Sequence, residues 1–151
     1  MKLSTKTRYG LRALVDLASY GENEQVPLAR IAARQELSVN YMEQVFVTLK
    51  KAEIIKSTKG SQGGYSLARA SENITVGEII RALEGNNLVI EESNNKVGES
   101  LIVYNMERCL QQQVWTPINN SINQVINSIT LAELKNDMLK VSQQCADMYY
   151  I

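Results

Sequence analysis

Histidine is absent from this chain of 151 residues, and cysteine occurs only twice, as Cys109 and Cys145. Without histidine, a triad with a histidine base and a histidine-ligated metal site are both excluded. Two cysteines make no disulfide framework, which agrees with a reducing compartment. The sequence shows neither a nucleophile paired with a base nor a phosphate-binding loop. We therefore predict that the chain is not an enzyme.

Long apolar segments are missing as well. No apolar run approaches the roughly 18 to 20 residues that span a bilayer. The N-terminus, MKLSTKTRYG, lacks the apolar core of a secretory signal. We expect a cytoplasmic protein with no membrane partner. The apolar fraction of 44% is sufficient for one core, and no low-complexity stretch indicates disorder.

Net charge is also absent, because 16 Lys and Arg residues balance 16 Asp and Glu residues. The charges are nevertheless divided unevenly. Residues 1–70 contain eleven bases and six acids, so this part carries +5 and the remainder −5. Because the field at a surface depends on the local charge, this asymmetry indicates that the basic part contacts nucleic acid or a membrane surface.

Apolar residues recur at helical spacing in three segments of the first half. They predict helices from residue 4 or 5 to 21, from 27 to about 34, and from 39 to 52. Ser38 is a good N-cap for the third helix. The face opposite its apolar side consists of Asn40, Glu43, Gln44, Val47 and Lys51.

A β-hairpin and a fourth helix follow. Two short strand-like segments flank the Gly-rich residues 58–64 and predict a hairpin with Lys59 at its basic tip. A capping box at Thr75 begins the fourth helix, which Gly85 ends.

The second half begins with residues 86–100, a polar segment that we interpret as a flexible loop. Helical structure is expected from Leu101, and Pro117 either starts a new helix or kinks a longer one. A capping box at Thr130 begins a last helix, which is expected to end near Lys140. An apolar stripe, expected to face another subunit, contains Ile118, Ile122, Val125, Ile126 and Ile129.

Three helices followed by a hairpin are typical of a winged helix-turn-helix. We predict a mainly α-helical chain with a small β-hairpin wing. Residues 1–85 form the DNA-binding domain, residues 86–100 the loop and residues 101–151 a helical dimerisation region. The third helix is expected in the major groove and Lys59 in a minor groove. Phosphate contacts are expected from Lys2, Lys6, Arg8, Arg12, Lys50, Lys51 and Lys56.

Short motifs along nearly the whole chain also carry a family resemblance. They are LSTK at 3–6 with Tyr9-Gly10, Ser38 with Tyr41-Met42-Glu43-Gln44, Lys59-Gly60 with GGY at 63–65, ITVGEII at 74–80, LEG at 83–85 and ITLAEL at 129–134. Together they resemble the signature of the Rrf-type transcriptional regulators, the family of the IscR-, CymR- and NsrR-like proteins.

The resemblance implies a homodimeric bacterial transcription factor with a winged helix-turn-helix and a long C-terminal dimerisation helix. We expect a repressor that reads palindromic operators in iron-sulfur or in cysteine and redox homeostasis. Lys59 falls where an arginine commonly enters the minor groove, and lysine keeps the charge but loses the planar fork. By motif match, the positions that contact bases are Ser38, Asn40, Glu43 and Gln44.

The resemblance fails at the sensor. Members that bind an iron-sulfur cluster carry three cysteines spaced about six residues apart, and the resemblance places only Cys109 at such a position. The two earlier positions hold Val97 and Val103, and Gln112 stands where a histidine ligand would be. Valine cannot bind iron, and a lone thiolate is a poor cluster site. We therefore expect no cluster and no other cofactor or metal.

Cys109 remains as a candidate sensor thiol, and the alternative is a buried apolar thiol without a sensing role. The resemblance to CymR-like members implies a response through thiol chemistry or through a regulatory partner protein. A different class of function also stays open, in which the chain is a protein-interaction module that docks on a metabolic enzyme with little or no DNA binding. The +5 half favours DNA, because a surface freed from DNA needs no clustered bases.

Overall fold

The computed structural model describes residues 2–21, 24–85, 98 and 100–149. Its elements are α1 (Thr5–Tyr20), α2 (Leu28–Gln35), α3 (Val39–Lys51), β1 (Ile55–Thr58), β2 (Gly64–Leu67), α4 (Val76–Glu84), α5 (Leu101–Leu110), α6 (Thr116–Ser128) and α7 (Leu131–Tyr149). A short 3₁₀ turn, Ser71–Asn73, precedes α4, and a π-helical segment, Gln111–Trp115, joins α5 to α6. The predicted mainly α-helical fold with a hairpin is confirmed.

Side-chain caps start the helices where the sequence predicts them. The Ser4 hydroxyl accepts a hydrogen bond from the Thr7 N–H in α1, and the Ser38 hydroxyl accepts one from the Tyr41 N–H in α3, both at 3.2 Å. Each hydroxyl satisfies an N–H that has no partner within its helix. The second helix is displaced by one residue, because Pro27 is the N-cap of α2 and lies outside its first turn.

One core joins α1 to α4 with the hairpin. Its largest fully buried side chains are Phe46, Leu14, Leu17, Ile31, Met42, Leu49, Ile54, Ile55, Ile74, Ile79, Leu131 and Val45. These residues come from the apolar faces of the helices and from the start of the wing. Their burial turns the opposite face of α3 toward solvent.

The hairpin is tied to the body of the domain on both of its sides. β1 and β2 pair antiparallel, from Ile55 opposite Leu67 to Thr58 opposite Gly64. On the outer side of β2, Tyr65 and Val26 exchange two backbone hydrogen bonds of 2.9 Å. A wing held in this way keeps its tip in a defined place relative to α3.

The segment from α5 to α6 is a longer helical run rather than two separate helices. Leu110, Gln111, Trp115 and Thr116 all have right-handed helical dihedral angles. Pro117 has no N–H to donate to the carbonyl four residues earlier, and π-helical segments absorb such interruptions. The sequence left open a new helix or an interrupted longer one, and the structure shows the second.

The last helix begins as predicted but continues to Tyr149, well past the expected end near Lys140. Its first residue, Leu131, is fully buried in the core of the N-terminal helices. Backbone hydrogen bonds from Leu131 N to Ile74 O (2.8 Å) and from Val76 N to Ile129 O (2.9 Å) bring the two regions together. The chain after residue 100 therefore contributes to the core.

The predicted division of the chain into domains at residues 85 and 100 stays a prediction. Most of the loop expected at 86–100 lies outside the described residues.

The apolar stripe of α6 is divided between two environments. Ile126 and Ile129 pack against Val76 and Ile80 of α4. Two other residues of the stripe, Ile118 and Val125, are 40% and 57% exposed. Other exposed apolar residues on α5 are Leu101, Ile102, Val103, Met106 and Leu110. None of the described helices has both the length and the apolarity that a membrane span requires.

Candidate nucleic-acid interface

The outer face of α3 presents a row of polar side chains. Asn40, Glu43 and Gln44 are all exposed. One and two turns further on, Val47 and Lys51 are exposed too. Because the inner face is held by completely buried side chains, the polar groups point outward from a rigid support. A helix of this kind fits the width of a DNA major groove.

Ser38 lies at the start of the same helix and has a structural role. Its hydroxyl oxygen accepts the hydrogen bond that caps α3. A hydroxyl also has one hydrogen to donate, and the Ser38 hydroxyl hydrogen has no acceptor among the described residues. The cap and a base contact are therefore compatible at this residue.

The wing tip carries Lys59 in an exposed position. Gly60 beside it has a φ of 117°, a conformation in which glycine is strongly preferred. At Gly63, an added Cβ would lie 2.3 Å from the Thr58 carbonyl oxygen. The tip is therefore narrow for steric and conformational reasons. A narrow tip with one cation suits a minor groove.

A direct contact joins the wing to α3. The Lys50 ammonium group in the last turn of α3 donates to the Ser57 hydroxyl of β1 at 2.5 Å. The wing and α3 are therefore connected by a side-chain hydrogen bond as well as by the core.

The remaining bases divide into two groups. Lys2, Arg8, Lys51 and Lys56 are exposed. Arg12 instead binds Gln35 at the end of α2 through its Nε and Nη2 atoms, at 3.2 and 2.7 Å. Lys6 is half-buried, and its Nζ donates to the Thr48 hydroxyl at 3.1 Å. Lys2, Arg8, Lys51 and Lys56 are available to phosphates, whereas Lys6, Arg12 and Lys50 hydrogen-bond within the protein, although Arg12 and Lys50 are themselves exposed.

Two carboxylates in the supporting structure were not identified from the sequence. Asp16 is 2% exposed and binds Arg34. The hydrogen bond to Asp16 raises the pKa of Arg34. A carboxylate inside the apolar stripe of the first helix is the signal that could have revealed this pair, because buried charges are nearly always paired.

The second is Glu84 at the end of α4. Its Oε1 atom accepts hydrogen bonds from the Ser4 N–H at 2.7 Å and from the Thr7 hydroxyl at 2.6 Å. These hydrogen bonds hold the pKa of the Glu84 carboxyl below its usual range. No local pattern in the sequence indicates a contact between residues so far apart in the chain.

The two cysteines lie outside this interface. Cys109 on α5 and Cys145 on α7 are both exposed and not disulfide-bonded. The Cys109 thiol is therefore not buried within the single chain, and its role as a sensor stays a prediction. Across the part of the chain that the structure describes, no group of three or more Cys, Asp or Glu residues could hold a metal ion.

Comparisons with known proteins agree on one family. A family model described as "Rrf2: Iron-dependent Transcriptional regulator" matches residues 3–137. The chain is 38% identical over 137 residues to "Protein rrf2" of Nitratidesulfovibrio vulgaris, covering 91% of this chain and 89% of that protein. It is 36% identical over 137 residues to the "HTH-type transcriptional regulator IscR" of Erwinia tasmaniensis, covering 91% and 80%.

Solved structures give the same result. The B. subtilis protein described as "CymR (YrzC) the Global Cysteine Regulator" superposes with a TM-score of 0.70 at 32% identity, covering 90% of this chain and 97% of that one. "T. potens IscR" superposes with a TM-score of 0.69 at 40% identity, covering 91% and 88%. The oxidized form of Staphylococcus aureus CymR superposes with a TM-score of 0.66 at 33% identity, covering 89% and 96%.

The description "iron-dependent" raises the question of whether these residues could hold an iron-sulfur cluster. The chain has two thiols and no imidazole. Val103, six residues before Cys109 on α5, offers no donor atom, and the two thiols lie on different helices. Three-cysteine ligation does not fit this donor set.

Proposed function

The chain belongs to the Rrf2 family of transcriptional regulators, and from this premise we propose that it binds palindromic DNA as a homodimer and represses transcription. In this proposal α3 enters the major groove and the wing enters the adjacent minor groove. The predictions of a DNA-binding regulator and of a non-enzyme are confirmed by the family. The alternative of an interaction module without DNA binding finds no support among the relatives.

The single observation that carries the proposal is the orientation of α3. Its apolar side chains are completely buried, and this fixes Asn40, Glu43 and Gln44 on the solvent side. Amide groups can pair with adenine in the major groove, and a carboxylate can accept from cytosine N4. The exposed bases Arg8, Lys51 and Lys59 supply the phosphate and minor-groove contacts in this proposal.

The homodimer is supported by the exposed apolar surface of α5 and α6. Ile118 and Val125 are exposed, whereas Ile126 and Ile129 of the same stripe pack against α4. Large exposed apolar patches often mark subunit interfaces. Two copies joined there would place two recognition helices on half-sites one helical turn or more apart, about 34–36 Å or a multiple.

Regulation is proposed to proceed without an iron-sulfur cluster or another cofactor. The donor set that does not fit a cluster supports this proposal. The exposed thiol of Cys109 or a partner protein then provides the response, and redox sensing fits the relatives. A cytoplasmic location and a role in iron-sulfur or cysteine homeostasis belong to the same proposal.

The test is selection of genomic fragments by the purified protein, followed by binding titrations at several salt concentrations. We expect enriched palindromes and an affinity that falls steeply as salt rises. Lys59→Ala should weaken binding and lower the salt slope by about one. Lys140→Ala, an exposed lysine on α7, is the matched control and should change neither. Failure to enrich any fragment at low salt would exclude the proposed function.

The same selection tests the regulatory part. Repeating it with a thiol oxidant and with Cys109→Ser separates thiol chemistry from a partner protein. Absorption spectra and iron and sulfide analysis of anaerobically purified protein test the absence of a cluster. Stoichiometric iron and sulfide with charge-transfer bands would contradict it.

A further inference from the structure

Lys6 links the N-terminus of α1 to the recognition helix. Its ammonium group donates to the hydroxyl oxygen of Thr48 on α3, at 3.1 Å between Nζ and Oγ1. The Thr48 hydroxyl donates in turn to the backbone carbonyl of Gln44 at 3.2 Å. The Lys6 cation on α1 is thus connected through Thr48 to the turn of α3 that carries Gln44, a residue proposed to contact bases.

The first turn of α1, which carries Lys6, is in turn hydrogen-bonded to Glu84 of α4. Glu84 accepts hydrogen bonds from the Ser4 N–H and the Thr7 hydroxyl, two residues before Lys6 and one residue after it. Thr7 is completely buried and Glu84 is half-buried, so this contact is partly removed from solvent. The positive charge of Lys6 adds to the hydrogen bonds from Ser4 and Thr7 in lowering the pKa of Glu84. The first turn of α1 is therefore a fixed support for the Lys6 side chain.

Lys6 differs from Arg8, two residues further along α1, in its exposure and in its hydrogen bonding. Lys6 is half-buried and hydrogen-bonded to α3, whereas the Arg8 side chain is exposed and its guanidinium group has no hydrogen-bond or ion-pair partner within the described ranges. A phosphate anchor needs an accessible cation. The two residues lie in the same part of α1, so they form a natural pair for comparison.

The position of Thr48 makes this contact relevant to base recognition. With 3.6 residues per turn, Thr48 lies one turn beyond Gln44 and is rotated by about 40° around the helix axis. A hydrogen bond to Thr48 therefore limits rotation of α3 about its axis. Direct readout is sensitive to such rotation, because hydrogen bonds weaken steeply when their angle departs from linearity.

We propose that Lys6 is a positioning residue for DNA recognition, which holds Thr48 and thereby fixes the rotation of α3 that presents Gln44 to the bases. The proposal rests on the DNA-binding function proposed above and assigns Lys6 a role different from that of the exposed bases. Loss of the contact impairs discrimination between sequences, whereas loss of a phosphate anchor impairs binding to all sequences alike.

The experiment compares Lys6→Met, Thr48→Val, the double variant and Arg8→Met. The dissociation constant of each is measured for a selected operator and for a scrambled duplex of the same length, at several salt concentrations. Lys6→Met and Thr48→Val should each reduce the operator preference by about three- to tenfold. Thr48→Val removes no charge and should leave the salt slope unchanged. The double variant should lose no more operator preference than the single variant with the larger loss, because both changes remove the same contact.

Arg8→Met should weaken binding to both duplexes equally and lower the salt slope by about one. Thr48→Ser keeps the hydroxyl and should retain the operator preference, which separates the contact from a general packing defect. Urea unfolding establishes that each variant is folded.

The proposal would be wrong if Thr48→Val bound like the parent while Lys6→Met weakened binding to both duplexes equally. Lys6 would then be a phosphate contact. A parent protein without operator preference would instead overturn the proposed function itself.

Discussion

Asp16 on α1 and Arg34 on α2 form a bidentate pair that joins the two helices. Arg34 Nε lies 2.9 Å from Oδ2 of Asp16, and Nη2 lies 2.6 Å from Oδ1. Gln35 adds a third donor at 2.9 Å. The Asp16 carboxylate is thus satisfied although it is almost completely buried.

We expect that Arg34→Met destabilises the protein, because it leaves the Asp16 carboxylate buried without its cation. The loss should be about 2–4 kcal/mol, somewhat less than for a fully buried pair, since the Arg34 side chain is 34% exposed. Urea unfolding measures this loss of unfolding free energy. Lys140→Ala removes an exposed ion pair with Asp137 and should change the stability by less than about 0.5 kcal/mol. Equal effects of the two substitutions would contradict a structural role for the Asp16–Arg34 pair.

Glu84 should make stability depend on pH in the acidic range. Its pKa is lowered in the folded chain by the hydrogen bonds from Ser4 and Thr7. Its contribution is therefore fully present above the ordinary carboxyl pKa of about 4.3 and is lost as the pH falls through the folded value. Glu84→Gln should flatten the dependence of the unfolding free energy on pH below about 4.3. Glu24→Gln, at an exposed carboxylate, is the control and should leave the parent's dependence intact.

Glu43 should determine which operators are accepted. An exposed carboxylate on the reading face can accept a hydrogen bond from cytosine N4 and repels phosphates when that partner is missing. We expect Glu43→Ala to bind a broader set of sites in a randomised-library selection, with a loss of about 1–3 kcal/mol of discrimination at one base pair. An unchanged site preference would contradict this role.

The exposed part of the α6 stripe should control assembly. A charge at Val125 or Ile118 would have to be desolvated in a dimer, so Val125→Asp should shift the protein toward monomers. Sedimentation velocity at several concentrations measures the change. Val141→Asp is a control of nearly the same exposure, 58% against 57%, on α7, and should leave the assembly state unchanged. A dimer unaffected by Val125→Asp would place the interface elsewhere.

Local signals were sufficient for most of the secondary structure. Ser38 caps α3 as predicted, Ser4 caps α1 at the predicted start of that helix, and the capping boxes at Thr75 and Thr130 start α4 and α7. These interactions join residues three positions apart, so they are visible in a short stretch of sequence. The polar face of α3 was predicted for the same reason, since helical periodicity separates its two sides. The start of α2 was displaced by one residue, and the end of α7 was misplaced because a helix without a stop residue gives no local sign of where it ends.

Contacts between distant segments were beyond the reach of such patterns. Asp16 with Arg34, Lys6 with Thr48, and Glu84 with Ser4 each depend on how whole helices pack. The uneven charge of the chain indicated a basic surface, but it could not show which bases remain exposed and which bind within the protein. Sequence periodicity and capping thus determined the helices, the wing and the outward face of α3. The tertiary packing decided the burial of Leu131, the division of the α6 stripe and the partners of Lys6, because these properties arise only when elements far apart in the chain meet.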